Sequence, residues 1–526
     1  MPKHLLSLAW AALLTITALA YQFQLRLGFT DTDALADYAA ARAEGLAGWL
    51  HQLTLPLTAG VGGANANFWR PGVMLHYALQ RALFDDNTRH WQAWDLGLHL
   101  SAVAALGLAA RSLGASSATA LFAGMVFALH PLGVEIVPAV ARNIDVLVAL
   151  FSLAAIAAAG QGRALFTAIL GLCALSFKET ALAAMPVALL ALFWRSGRAS
   201  AAKVAGAWAV GVPLYLVART SVLSGIGGYY EDERTFTFGR LGAALRAAPW
   251  ESLFPGFSLS VEPLGEPLRA LGALILFVVL LGVAARRLRD GAPAAALGLL
   301  LWGLPVLLYG LTGTYSRRLL YLPSAGLCLV LAEGLALLAA PGARGLGALC
   351  LGFVLSLLPA SPIVHNYTDW AENDAVTRSL TTGVAPELAA LPPGSVVWVI
   401  DRCVWINSEP YRARTFHGKK TLNNCVATYS LQAWADDLFG PGHLTLRALT
   451  STQPEGPLPP PEVSVEDGAL VLRRASMRRS LTGLGKEAGW TLVREESVSV
   501  LTPPSAASGQ WALIAGGERG ALVRLP

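Results

Sequence analysis

The apolar run LLSLAWAALLTITALAY (residues 5–21) is followed, after a short polar stretch, by Phe29-Thr30-Asp31-Thr32-Asp33. A run of this length and composition is a membrane-span candidate, so the two carboxylates fall where membrane meets water. Lys3 precedes the run, Arg26 follows it, and Ala18-Leu19-Ala20 has the small-x-small form of a signal cleavage site. Cleavage there competes with an uncleaved first helix that enters from the cytoplasm. The many apolar segments downstream fit the second reading as well.

Across 526 residues the chain is 54% hydrophobic and 14% charged, with a mean hydropathy of +0.51. Too little polar surface remains to cover a soluble enzyme of this size, so the sequence is that of an integral membrane protein. A formal charge of +5 would point to nucleic acid in a soluble domain. In a membrane protein an excess of Arg marks cytoplasmic loops instead, and no nucleic-acid partner is expected. The five cysteines show no metal-ligand spacing. Cys173, Cys328 and Cys350 lie in apolar runs, where a thiol behaves as a small hydrophobe.

Further apolar runs lie near residues 91–110, 118–129, 144–159, 164–177, 181–194, 204–218, 270–285, 294–311, 319–340 and 345–360. With the first they predict about eleven spans, several of them shorter than the roughly 20 residues a lone span wants and at home only in a bundle. With the N-terminus in the cytoplasm, the cytoplasmic loops receive Arg111, Arg163, Arg195, Arg198, Lys203, Arg286, Arg287, Arg289 and Arg344, the expected positive bias. An odd number of spans then puts everything after residue 360 outside. A bacterial inner membrane is the expected location.

Two long outer loops follow from this topology, 24–90 and 220–268. The first holds the acidic couple, a helical stretch over 34–53, a Gly/Asn turn region at 62–67 and a semi-apolar helix over 71–84 that reads as interfacial. The second is Gly- and aromatic-rich, a composition that suits either a mobile lid or a plain connection. The membrane domain is predicted to cover residues 1–380. From 381 to 526 the composition is that of an extracytoplasmic α+β domain, with a buried strand at 396–400 and hairpins at 463–472 and 511–525. Cys403 and Cys425 lie in that domain and are a disulfide candidate in an oxidising compartment.

The same topology gathers charges on one face. His130 and Glu135 follow the third span, Arg142 and Asp145 open the fourth, Lys178 and Glu179 close the fifth, and Arg317 and Arg318 precede the tenth. All map to the outer face, with Asp31 and Asp33. Cations there run against the positive-inside bias, and a charge near the bilayer middle costs about 2.5 to 3.5 kcal/mol on insertion scales, so such groups pair or line a wet cavity. Charge partners capping helix ends are one reading; a site for an anionic head group is the other.

At these residues the chain resembles a known family. Phe68-Trp69-Arg70-Pro71, His99, His130-Pro131-Leu132-Gly133-Val134-Glu135, Ala141-Arg142-Asn143-Ile144-Asp145-Val146-Leu147, Leu175-Ser176-Phe177-Lys178-Glu179-Thr180, Arg318-Leu319-Leu320-Tyr321-Leu322-Pro323-Ser324 and residues 366–370 look like the membrane half of the transmembrane and tetratricopeptide-repeat O-mannosyltransferases, members of the glycosyltransferase C superfamily. The resemblance covers residues 5 to about 380 and implies a polytopic GT-C-like helical fold, a polyprenyl-phosphate sugar donor, a hexose such as mannose, and inversion at the anomeric carbon. Two features depart from the family: Thr32 separates the first-loop acids, and a domain with strands replaces the helical-repeat array.

Displacing a sugar from phosphate by an acceptor hydroxyl requires a base for the hydroxyl proton and cations for the leaving phosphate. Asp31 or Asp33 is the expected base. Arg70, Arg142, Lys178 and Arg318 are the expected phosphate ligands, Arg as a planar fork and Lys as a point charge. His130, Glu135, Asp145, Glu179, Arg317 and Tyr321 are placed in the substrate pocket. Asp31 and Asp33 could instead hold Mg or Mn. The acceptor would be a protein or glycan. A transporter, flippase or polymerase of lipid-linked glycans would also need an outward anionic site; it would favour discontinuous spans and repeat symmetry, and no convincing internal repeat stands out.

Overall fold

The computed structural model describes residues 3–30, 33–63, 67–225, 238–253, 265–312, 317–357, 368–400, 428–449, 462–473, 489–495, 498–514 and 520–525. Its first part is helical: α1 (Lys3–Ala20), α2 (Ala34–Ala40), α3 (Gly45–Gln52), α4 (Pro71–Phe84), α5 (Thr88–Ser112), α6 (Ser117–Ala128), α7 (Gly133–Ile136), α8 (Asn143–Gly160), α9 (Ala164–Phe177), α10 (Ala181–Leu223), α11 (Phe238–Leu253), α12 (Gly265–Arg289), α13 (Ala294–Thr312), α14 (Tyr321–Ala336) and α15 (Arg344–Leu357). Local signals start several of them. Pro71 occupies the first turn of α4, where its missing N–H is no loss. Ser116 caps α6 by accepting from Thr119 N at 3.0 Å.

Six helices are long and apolar enough to cross a membrane, in segments 88–112, 140–160, 181–223, 270–289, 294–311 and 318–339. The chain is a multi-pass membrane protein. Seven of the eleven runs expected as spans lie in these six segments. Runs near 5–21, 118–129, 164–177 and 345–360 form shorter apolar helices. The runs at 181–194 and 204–218 are two helical stretches of α10, parted by the non-helical backbone of Gly197 at φ 79° and ψ 179°. The bundle packs α5 on α8, α8 on α9 and α10, and α14 on α6 and α13. Every residue of α14 from Tyr321 to Gly334 is buried, which explains its apolar composition all round.

The first loop differs from its expected form in one respect: the stretch 34–53 is two helices, broken before Gly45 at φ 61°. Helix α4 buries one face, with Val73, Met74, Tyr77 and Gln80 against α2, α5 and α9, and leaves Leu79 and Leu83 exposed.

After α16 (Thr368–Leu380) and α17 (Ala385–Ala389) come β1 (Ser395–Ile400), α18 (Thr428–Phe439), β2 (Leu444–Ala448), β3 (Glu462–Glu466), β4 (Ala469–Arg473), β5 (Thr491–Glu495), β6 (Val498–Thr502), β7 (Trp511–Ile514) and β8 (Ala521–Arg524). One sheet has the order β2-β1-β7-β8, with β1 parallel to both neighbours; the other is antiparallel, β3-β4-β6-β5. The hairpin at Asp467-Gly468 has φ 49° and 77°, the paired left-handed residues a two-residue hairpin turn requires.

Strand β1 shows why the sequence Val-Val-Trp-Val-Ile is apolar throughout. Side chains alternate along a strand, and both faces here are covered. Val397 and Val399 point into a core shared with α18 and the first outer loop, while Trp398 and Ile400 point into a core shared with the second sheet. The C-terminal region is thus joined to the membrane part through the first loop.

Candidate functional site

Charged side chains from five segments meet at one end of the helices. Arg70 stands immediately before Pro71, which disfavours helical backbone at residue 70 and leaves it extended at the mouth of α4. Lys178, also extended, ends α9, and Thr180 begins α10, so Lys178 and Glu179 form the turn between two helices and point to different partners. Arg142 and Asp145 sit at the start of α8, Arg219 in the last turns of α10, and Arg318 just before α14.

Two ion-paired groups result. Arg70 Nη2 donates to Glu179 Oε2 at 3.0 Å, and Arg219 pairs with the other oxygen of the same carboxylate. Lys178 pairs with Asp145, both about nine-tenths buried. Tyr215 donates from Oη to Trp69 O at 3.1 Å and stacks near the Trp69 ring, fastening the Arg70 loop to α10. The Arg70 guanidinium also lies 4.5 Å over the Phe68 ring. Arg142 Nη1 donates to Glu135 O at 2.8 Å, which folds the short α7 turn against the start of α8.

The electrostatics of the turn follow from this geometry. Burial lowers the Lys178 amine below its ordinary range; Asp145 works against that, and Arg70 and Arg318 add to it. Burial alone would raise Glu179, but Arg70 and Arg219 outweigh it and hold the carboxyl at about 2. Among the described residues four cations, Arg70, Lys178, Arg219 and Arg318, share this network with two carboxylates, Asp145 and Glu179. The surplus is positive.

Of the sequence-derived site residues, Arg70, Asp145, Lys178 and Glu179 are brought into this network, with Arg142, Glu135 and Arg318 beside it. His130 is held on both ring nitrogens: Leu132 N donates to Nδ1 at 3.3 Å, and Nε2 lies 2.8 Å from Ser252 O. This is the neutral tautomer with Nε2–H as donor, and burial moves the imidazole down to about 4. Tyr321 is buried, with Oη 2.6 Å from His99 Nδ1. Asp33 lies in the first loop and accepts from Tyr429 Oη of α18. Asp31, Cys403, Cys425 and the Arg317 side chain lie outside the described residues. Among the described residues no three His, Cys, Asp or Glu side chains group to hold a metal ion.

Sequence reasoning missed Arg219. It is a cation at the end of an apolar run, the same signal that selects Arg142 and Arg318. It also missed Tyr429, for which a residue nearly 400 positions from Asp33 in sequence gives no local signal.

No protein-family model matches the chain, and no curated protein does. Among solved structures the chain is similar to the oligosaccharyltransferase of Archaeoglobus fulgidus, captured with a tethered acceptor peptide containing the NVT sequon. The identity is 11% and the TM-score 0.43, with 83% of this chain and 63% of that chain covered. This chain therefore spans less than two thirds of the length of that neighbour.

Proposed function

We propose that the protein is an integral membrane glycosyltransferase that moves a sugar, a hexose such as mannose, from a polyprenyl-phosphate donor to an acceptor hydroxyl of a protein or glycan outside the cytoplasm. The observation that carries this reading is the buried network of Arg70, Glu179, Arg219, Lys178 and Asp145, with its surplus of positive charge at one end of a membrane bundle. Buried cations in excess of their carboxylates suit an anionic head group that brings its own negative charge. The motif resemblance of residues 5 to about 380 supports the same donor class.

In this reading Arg70, Arg142, Lys178 and Arg318 hold the phosphate, with Arg219 setting the charge of Glu179 between them. These groups stabilise charge on the departing phosphate without moving, which is the economy of a preorganised site. A first-loop carboxylate, Asp31 or Asp33, takes the acceptor proton as C1 is attacked from the face opposite the phosphate, giving inversion. Glu135 lines the sugar pocket. Asp31 and Asp33 offer hard oxygen ligands to Mg or Mn, and a metal there would add to the phosphate-binding charge. The membrane domain is taken as residues 1–380 and the outer domain as 381–526, with the N-terminus cytoplasmic.

Incubating membranes that contain the protein with labelled polyprenyl-phosphate hexoses tests the proposal. Consumption of one donor, with the label moving to protein or glycan, is the expected result. Label that crosses the membrane still attached to lipid would make the protein a transporter or flippase and overturn it.

A further inference from the structure

The first outer loop is held by the C-terminal domain at several points that do not depend on one another. Phe29, Leu35, Tyr38 and Ala41 share a core with Leu431, Trp434 and Ala435 of α18. Ala36 N donates to the buried Ser430 Oγ at 3.0 Å. Arg81 forks onto Asp437, with Nη2 3.0 Å from each carboxylate oxygen; its Nη1 donates to Tyr38 O at 2.6 Å, and the guanidinium lies 4.2 Å over the Tyr38 ring. Each contact fixes loop backbone against a helix that belongs to the other part of the chain.

Backbone strain is concentrated at the same contact. In the 3-10 turn Leu57–Gly63 the left-handed region is occupied by Thr58 (φ 62°), Ala59 (φ 48°), Gly60 (φ 71°) and Gly62 (φ 61°). A non-glycine residue held there costs on the order of 1 kcal/mol or more and persists only where its surroundings over-determine it. What presses on this turn is α18: a Cβ on Gly62 would run into the Tyr429 carbonyl and the Ala433 amide. The turn is also tied to the cationic network, since Leu57 N bonds Phe68 O at 2.6 Å and Trp69 Nε1 donates to Leu53 O at 2.9 Å, directly before Arg70. One helix of the C-terminal domain therefore stands behind both ends of the loop, the Asp33 end and the Arg70 end.

We infer that α18 belongs to the working site, and that Tyr429, whose Oη donates to the Asp33 carboxylate, is a positioning residue that aims Asp33 at the acceptor. The inference rests on the glycosyltransferase reading, with Asp33 as the base. It gives the C-terminal domain a role in catalysis in addition to any in acceptor recognition. Asp33 stands at the N-cap of α2, and displacing a reacting group by about 1 Å can cost on the order of 100-fold. A hydroxyl donated from helix α18 adds a restraint on where its carboxylate points.

The test uses the full chain in detergent or membranes, with a synthetic short-chain polyprenyl-phosphate hexose as donor. Tyr429→Phe keeps the ring and its packing and removes only the hydroxyl. The expected result is a kcat lower by about 10- to 100-fold, KM for the donor within about twofold, and a Asp33→Asn/Tyr429→Phe double variant no slower than Asp33→Asn alone, because both changes remove one function. Ser430→Ala loosens α18 without touching Asp33, and is expected to lower kcat far less than Tyr429→Phe. A wild-type kcat in Tyr429→Phe beside an impaired Asp33→Asn overturns the inference and leaves the function standing. So do equal losses in Ser430→Ala and Tyr429→Phe, or losses that multiply in the double variant. Wild-type transfer in Asp31→Asn, Asp33→Asn and their combination is a different failure, that of the base assignment itself.

Discussion

Helix α14 meets a buried ion pair at each end, and the two pairs are built differently. Near its C-terminal end Glu333, fully buried, accepts from Arg287 Nε of α12, with Asp290 3.8 Å from the same guanidinium and 3.7 Å from Arg286. Two cations face two carboxylates, and the arginines reach toward solvent. At the other end four of the described cations, Arg70, Lys178, Arg219 and Arg318, face the two carboxylates Asp145 and Glu179; all but Glu179 among the paired ones are nearly closed off from water. A balanced pair locks helices together without calling for a further charge. An unbalanced buried group is costly in isolation, so it implies a ligand that completes it.

The largest effect should come from the group that acts on that ligand. Replacing Asp31 or Asp33 by Asn keeps size and polarity but removes the proton acceptor, and loss of a general base costs about 10² to 10⁴ in rate, roughly 3 to 5 kcal/mol of barrier. Donor binding should persist in a filter assay with labelled lipid. Wild-type turnover in both single variants and in the double variant would leave the cationic end with no chemistry beside it, and the contrast between the two ends would lose its functional meaning.

Next in size is the Lys178–Asp145 pair. Lys178→Ala strands a buried carboxylate, and breaking a buried pair on one side costs about 3 to 5 kcal/mol. Lys178→Met with Asp145→Leu removes both charges with similar volume and should restore most of the stability, since such replacements are often neutral or better. It should not restore transfer. Full activity in that double variant would show the network to be a lock like the one at Glu333. At the balanced end Arg287→Met with Glu333→Leu should shift stability by about 1 kcal/mol or so in either direction and leave transfer per folded molecule unchanged.

How much of this the sequence discloses depends on whether the signal is local. The apolar runs, the Asp467-Gly468 hairpin and the convergence of Arg70, Asp145, Lys178 and Glu179 follow from periodicity, turn chemistry and loop sidedness, all of which operate over a few residues or a fixed alternation. The break in α10 is legible too, because the polar Arg195-Ser196-Gly197-Arg198 stretch falls where Gly197 leaves helical backbone. What covers the buried face of α4 is not legible: an amphipathic stretch shows that one face is apolar, not which neighbour covers it. Nothing near Asp33 announces Tyr429, and nothing near Arg81 announces Asp437. Such contacts are set by the docking of whole elements.

The smallest effect, and the one that most sharpens the contrast, is the response of Glu179 to acid. Its carboxyl titrates at about 2 in the folded protein against an ordinary 4.5, because Arg70 and Arg219 outweigh the opposing effect of burial. The folded state therefore binds fewer protons than the unfolded one between those values, so the carboxylate's contribution is fully present above about pH 4.5 and is lost as pH falls through about 2. Comparing the protein with Glu179→Gln isolates this group, since His130, neutral and lowered to about 4, titrates alike in both. The difference in melting temperature between the two should stay constant from pH 8 to pH 5 and shrink below that. A difference that already closes between pH 7 and pH 5 would mean that Glu179 takes up its proton in the ordinary range or above, that Arg70 and Arg219 do not hold it ionised, and that the positive surplus at this end is larger than the ion pairs imply.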